Sequence, residues 1–219
     1  SFTNASLFMM ISAMLILSLL FFGTKKKSLV PSKIQLITEM SYTFIAKMIN
    51  DTAGSSAKSF FPFIFTLFMF VLFCNMVGML PYSFTVTSHI IVTFMLAAIV
   101  FIGVTIIGFI KHGIKYLELF VPKGVPIVLL PLIIVIEIIS YLARPVSLSV
   151  RLFANMLAGH TMLKVFGGFV ISLGLLGGWL PLSFSVALTG LEILIAFLQA
   201  YVFAILTCIY LNDALNLHH

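Results

Sequence analysis

Charge is what this sequence has least of: 8% of its 219 residues are Asp, Glu, Lys or Arg, against about 25% in a soluble globular domain. With 62% hydrophobic residues and a mean hydropathy of +1.24, the polar surface needed to solvate a chain of this length is missing. That excludes a soluble enzyme or nucleic-acid-binding domain and leaves a polytopic membrane protein. Cysteine is also scarce. Cys74 and Cys208 lie far apart inside apolar runs, which argues against a disulfide framework and shows no metal or redox spacing. Neither GxxxxGKS, GxxxxGKT nor GxGxxG occurs, so nucleotide chemistry belongs to another chain and no cofactor or metal is expected here. The terminal His218 and His219 have no further ligand at metal-binding spacing. The net charge of +6 is therefore read by position, as a signal of orientation in a membrane.

Apolar runs of about twenty residues, enough to cross a hydrocarbon core of about 30 Å, occupy residues 5–22, 60–80 and 89–110. Lys25, Lys26 and Lys27 follow the first run instead of preceding it, the reverse of a secretory signal, which predicts a retained helix. Because the chain opens on Ser1 and not on Met, a segment before it is expected to have been removed or left out. Residues 31–50 place Ile34, Ile37, Phe44, Ile45 and Met48 at helical spacing, with Lys33, Gln35, Glu39 and Lys47 on the other side and Pro31 in the first turn. This predicts an amphipathic helix on the membrane surface, or alternatively a contact with another subunit. The loop PYSFTVTS carries no Lys or Arg, whereas Lys111, His112, Lys115 and Lys123 follow the third run. Lysine-rich loops mark the cytoplasmic or matrix side, so the N-terminus is expected outside and the C-terminus inside.

Pro122, Pro126 and Pro131 interrupt helix at the next elbow. Residues 132–173 then run on with no strong stop except Pro145, for about 60 Å of helix, twice what a vertical crossing needs. GLLGGWLPLS makes a turn, and residues 183–215 form a second overlong arm. Hydrophobic excess is relieved by tilt or kinking, so these two form a strongly slanted hairpin. The expected fold class is an all-α integral membrane protein of one domain, with about five membrane-embedded helices and one amphipathic surface helix.

Polar residues concentrate in that hairpin. Glu137, Arg144 and Arg151 are seven apart, about 20° of drift per step round a helix, and Asn155 and His160 follow on the same arm. Glu192 and Gln199 are seven apart on the other arm. An ionisable group facing lipid at mid-depth costs roughly 2.5 kcal/mol or more, so each needs a protein partner or water. Either the stripe is a buried ion-pair set that fixes helix register, or it is a path for ions or protons. Arg144 is expected to neutralise Glu137 or to snorkel to headgroups, and Lys164 to snorkel. Asn75 and His89, near the outer ends of their helices, either line such a path or sit at the interface.

The string RPVSLSVRLFANMLAGH, with Glu137 upstream and LEILIAFLQAYVFAILTCIYLNDA downstream, resembles the a subunits of F-type rotary ATP synthases, called subunit 6 in mitochondria. The resemblance extends to FPFIFTLFMF, NMVGMLPYSFTVTSH and the KHG exit, and so covers most of the chain. It implies a stator subunit offering two offset half-channels to a ring of c subunits, whose own carboxylate carries the proton. Further expected partners are the b subunits of the peripheral stalk, other Fo subunits and the lipid bilayer, with no nucleic acid. Arg151 takes the place of the family's ring-facing arginine, Asn155 of its amide four residues on, and Gln199 of its last-helix glutamine. His160 and Glu192 stand where bacterial members often carry a carboxylate and a histidine, the reciprocal arrangement of mitochondrial and alphaproteobacterial members. The resemblance implies proton entry through Glu192 and His160, exit near Glu137, and Arg151 as the barrier between them. The membrane is then the mitochondrial inner or alphaproteobacterial plasma membrane. Two other classes compete: a secondary transporter binding an anion at Arg151, and a non-conducting scaffold subunit of a respiratory complex. The transporter would be expected to show two related halves with interrupted helices, and no internal repeat is visible.

Overall fold

A computed structural model describes residues 4–25, 31–79, 89–114, 116 and 129–215. Every regular element among them is helical: α1 (Asn4–Lys25), α2 (Lys33–Ala53), a short 3-10 helix (Ser55–Phe60), α3 (Phe61–Gly78), α4 (Ile90–His112), α5 (Leu130–Gly177) and α6 (Trp179–Leu215). Among the described residues, five helices are long and apolar enough to cross a membrane. The protein is an all-α integral membrane protein. Lys26, Lys27, the PYSFTVTS loop, Lys115, Pro122, Lys123, Pro126, His218 and His219 lie outside the described residues.

The length of the last two helices shapes the molecule. Leu130–Gly174 contains 45 residues and α6 contains 37, about 67 Å and 56 Å of helix at 1.5 Å per residue, against a hydrocarbon core of about 30 Å. Pro145, inside α5, removes one amide donor, so the Tyr141 carbonyl lacks its helical partner without ending the helix. The break comes at Gly174, whose φ of 62° is favoured in glycine because it has no Cβ. The Gly178 amide bonds back to the Gly174 carbonyl at 2.9 Å, and α6 starts at once.

α6 is the axis of the packing. Its buried face runs through Ala196, Ala200, Ala204, Thr207 and Cys208, small side chains at spacings of three and four that let neighbouring backbones approach closely. α3 supplies Ile64, Val71, Cys74 and Asn75 to the buried interior, and α4 supplies Ala97, Val100 and Val104. Cys74 and Cys208 are both free thiols.

α2 departs from the expected face. Its buried stripe is Gln35, Thr38, Ile45, Met48 and Ile49, while Ile34 and Ile37 are 47% and 52% exposed. The polar residues can turn inward because they are satisfied locally. Gln35 Nε2 donates to Glu39 Oε1 at 2.7 Å, and the Thr38 hydroxyl donates to the Ile34 carbonyl at 3.0 Å. A Cβ on Gly23 would collide with Thr38, so the glycine lets α1 close on this face. Near the middle of α2 Phe44 packs its ring beside Phe68, Phe197 and Tyr201 at centroid distances of 5.8, 6.1 and 5.6 Å. This brings α2 against α3 and α6.

Candidate functional site

The antiparallel hairpin brings four polar residues together in two cross-helix pairs. Asn155 Nδ2 on α5 donates to Gln199 Oε1 on α6 at 3.0 Å. Toward the hairpin turn, His160 Nδ1 lies 3.8 Å from Glu192 Oε1, within ion-pair reach but longer than a hydrogen bond. Glu192 and Gln199 are 4% and 3% exposed. A buried carboxylate oxygen with no hydrogen bond, as at Glu192 Oε1, is costly unless a neighbour or water completes it.

A cavity of about 180 Å³ opens between the arms, lined by Asn155, Ala158, Gly159 and Met162 of α5 and by Leu188, Leu191, Glu192 and Ile195 of α6. At about 30 Å³ per water molecule it has room for several. Of its lining residues Asn155 and Glu192 are polar, and further unpartnered atoms lie on the same face of α6 outside the lining. Glu192 Oε1, Gln199 Nε2 and Asn75 Oδ1 are buried side-chain atoms with no hydrogen-bond partner. Asn75 reaches the same face of α6 from α3, its Nδ2 donating to the Ala196 carbonyl at 3.3 Å, between Glu192 and Gln199 in sequence. His89 is exposed at the cap of α4 and is not part of the cavity lining.

Gly159 was not singled out by the sequence pattern. A Cβ there would stand 2.7 Å from Glu192 Oε1, so its absence makes room for the carboxylate. The available signal was its place beside His160 and four residues after Asn155, on the helix face that turns toward the other arm.

The charged stripe on α5 divides. Arg151 is exposed and makes no hydrogen bond or ion pair among the described residues. Arg144 does not neutralise Glu137: its Nη1 lies 3.4 Å from Asp213 Oδ2 on α6, and its guanidinium packs over the rings of Tyr141 and Tyr210 at 5.4 and 5.1 Å. Spacing along one helix did not anticipate this, because the competing carboxylate arrives from the other arm. Glu137 is partly exposed. Lys164 is exposed on the part of α5 nearer the hairpin turn.

Comparison with known proteins agrees along the whole chain. Residues 6–212 match the family described as ATP synthase A chain. The chain is 79% identical to an ATP synthase subunit a of Pelagibacter ubique, over 100% of this chain and 90% of the relative. It is 60% identical to ATP synthase subunit a of a Chelativorans species, over 100% of this chain and 90% of the relative, and 61% identical to that of Rhizobium rhizogenes, over 99% and 89%. With a matched family spanning nearly every residue and relatives covered almost end to end, this chain belongs to the ATP synthase subunit a family.

Proposed function

We propose that the chain is the proton-conducting stator subunit of an Fo motor, in which proton flow past Arg151 is coupled to rotation of a c ring and to ATP synthesis. The observation that carries this is an exposed, unpaired Arg151 set between two separate ionisable groups on one long helix. His160, with Glu192 beside it, lies nine residues beyond Arg151 in the sequence, about 13 Å along the axis, and Glu137 lies fourteen residues before it, about 21 Å. The two groups are thus about 34 Å apart along a slanted helix, with a fixed cation between.

On this reading a proton enters through the cavity lined by Glu192 and Asn155, with His160 beside Glu192 and Gln199 bonded to Asn155 as neighbouring groups of the path. It passes to a carboxylate of the c ring, travels round through lipid in neutral form, and leaves near Glu137. Arg151 attracts the ionised ring carboxylate and repels a proton. Its guanidinium, with a pKa above about 12, does not act as a relay itself. The lysines at 25–33 and at 111 place those ends on the inner side by the positive-inside rule, which puts the N-terminus outside and the C-terminus inside. Contacts with peripheral-stalk b subunits belong to the same assembly.

The test is Arg151→Ala and Arg151→Lys in the assembled synthase, measuring ATP synthesis and passive proton conductance. Alanine is expected to abolish coupled synthesis and to open a leak where the two paths connect. Lysine is not expected to restore coupling, because an ammonium lacks the planar donor fork and sheds its proton more readily when desolvated. Near-normal coupled synthesis in the alanine variant would overturn the mechanism.

A further inference from the structure

The inner ends of α4, α5 and α6 are closed by a ring of polar contacts. Tyr141 on α5 shares hydrogen bonds of 2.8 Å with Thr105 Oγ1 on α4 and with the Tyr116 hydroxyl. Tyr116 is 1% exposed, carried back over α4 by the turn at Gly113, where φ is 56°, and its ring occupies the place a Cβ on Gly108 would fill. Burial, reinforced by the hydrogen bond to Tyr141, raises the Tyr116 phenol above its ordinary range, so it stays protonated and able to donate. Lys111 Nζ and His112 Nε2 engage the Leu215 carbonyl at 3.0 and 3.1 Å, tying α4 to the end of α6. Arg144 sits within this ring, between the Tyr141 and Tyr210 faces, with Asp213 as its counter-ion.

Glu137 has neither a hydrogen bond nor an ion pair among the described residues. It lies seven residues before Arg144, about 10 Å along the axis, and helical side chains lean toward the N-terminus, which is the direction from Arg144 to Glu137. Glu137 leans the same way, so the approach is made by the longer side chain: Arg144 released from Asp213 has Glu137 as the one carboxylate of its own helix to turn to. Lys111 and His112 of α4 are engaged at Leu215, and Tyr116, Tyr141 and Tyr210 carry no charge that competes.

We infer that Asp213 is a positioning residue: it holds Arg144 at the junction of α4, α5 and α6 and so keeps that cation from pairing with Glu137. This rests on the proposed role of Glu137 as the inner proton group. A carboxylate paired with arginine stays ionised to lower pH, and an inner group locked in that state takes up protons poorly when ATP hydrolysis drives them outward.

The experiment is ATP-driven proton pumping in inverted vesicles, normalised to assembled a subunit, with the pH on the side that supplies protons varied. Asp213→Asn is expected to slow pumping about tenfold at neutral pH and to recover as that side is acidified by one to two units, the range by which a neighbouring arginine displaces a carboxylate. Asp213→Glu, which keeps the counter-ion, and Asp213→Asn combined with Arg144→Gln, which removes the released cation, are expected to pump near the wild-type rate. An Asp213→Asn enzyme slow at every pH, or a double variant as slow as the single, would show that Asp213 carries protons itself or only supports packing, and would overturn the inference. Glu137→Gln separates the two ideas. Normal pumping in that variant removes Glu137 from the path and both proposals with it, whereas slow Glu137→Gln with normal Asp213→Asn removes the inference alone.

Discussion

The two ends of the hairpin treat charge in opposite ways. Toward the turn, Glu192 is buried with a carboxylate oxygen that has no hydrogen bond, beside His160 at 3.8 Å and a cavity of about 180 Å³. At the end away from the turn, Arg144 is engaged by Asp213 and two aromatic faces, and the Thr105, Tyr116 and Tyr141 hydroxyls bond one another. A saturated polar network rigidifies what it joins, and an unsatisfied buried group is costly unless water or a proton completes it. The contrast separates a bonded network that joins three helices from a pocket with an unsatisfied carboxylate oxygen, and under the proposed function the pocket is the side that exchanges protons.

Breaking the outer side should have the larger consequence. Glu192→Gln keeps the shape of the pocket and removes its exchangeable proton. Proton flux in the assembled enzyme is expected to fall by roughly 100-fold, the low end of what a positioned acid or base contributes. Wild-type flux would take Glu192 off the path. Exchanging the pair, Glu192→His with His160→Glu, is expected to retain more flux than either single change, since both arrangements keep an acid and an imidazole in contact. Strictly independent effects would mean that the two do not interact.

A smaller change sharpens the same point. Gly159→Ala places a methyl 2.7 Å from Glu192 Oε1 and must push the carboxylate aside. Flux is expected to drop about tenfold, in keeping with the sensitivity of a reacting group to sub-ångström misplacement, with little loss of thermal stability because only the far end of a side chain moves. A melting-temperature measurement beside the flux assay checks this, and unfolding instead of slowed flux would show that Gly159 serves packing alone.

On the inner side, Tyr116→Phe deletes one hydroxyl from a network that retains the Tyr141 bond to Thr105. The expected cost is about 1 kcal/mol of stability, with pumping close to wild type. A large flux defect with normal stability would show that the Tyr116 hydroxyl acts on the proton path and does not only join the helices.

Periodicity and composition made the helices legible, because an apolar run that must hide its backbone from lipid has no alternative to helix once a closed barrel is set aside. The overlong arms of the hairpin were legible for the same reason, as were the seven-residue steps that align Glu192 with Gln199. The buried face of α2 was not, since Gln35 and Thr38 satisfy their polar atoms locally and so can be buried while Ile34 and Ile37 face outward.

The sequence by itself determined that this is an all-helical membrane protein, that its ionisable residues gather in the last two helices, and which family motif Arg151 belongs to. These follow from hydropathy, spacing and residue identity, all local properties of the chain. Tertiary structure decided the partners: Asp213 and not Glu137 for Arg144, Gln199 for Asn155, and Gly159 as the space into which Glu192 fits. Those choices depend on the register of two antiparallel helices and on the helix that packs across them. A side chain takes the counter-ion that comes nearest in space, and distance along the chain does not set that.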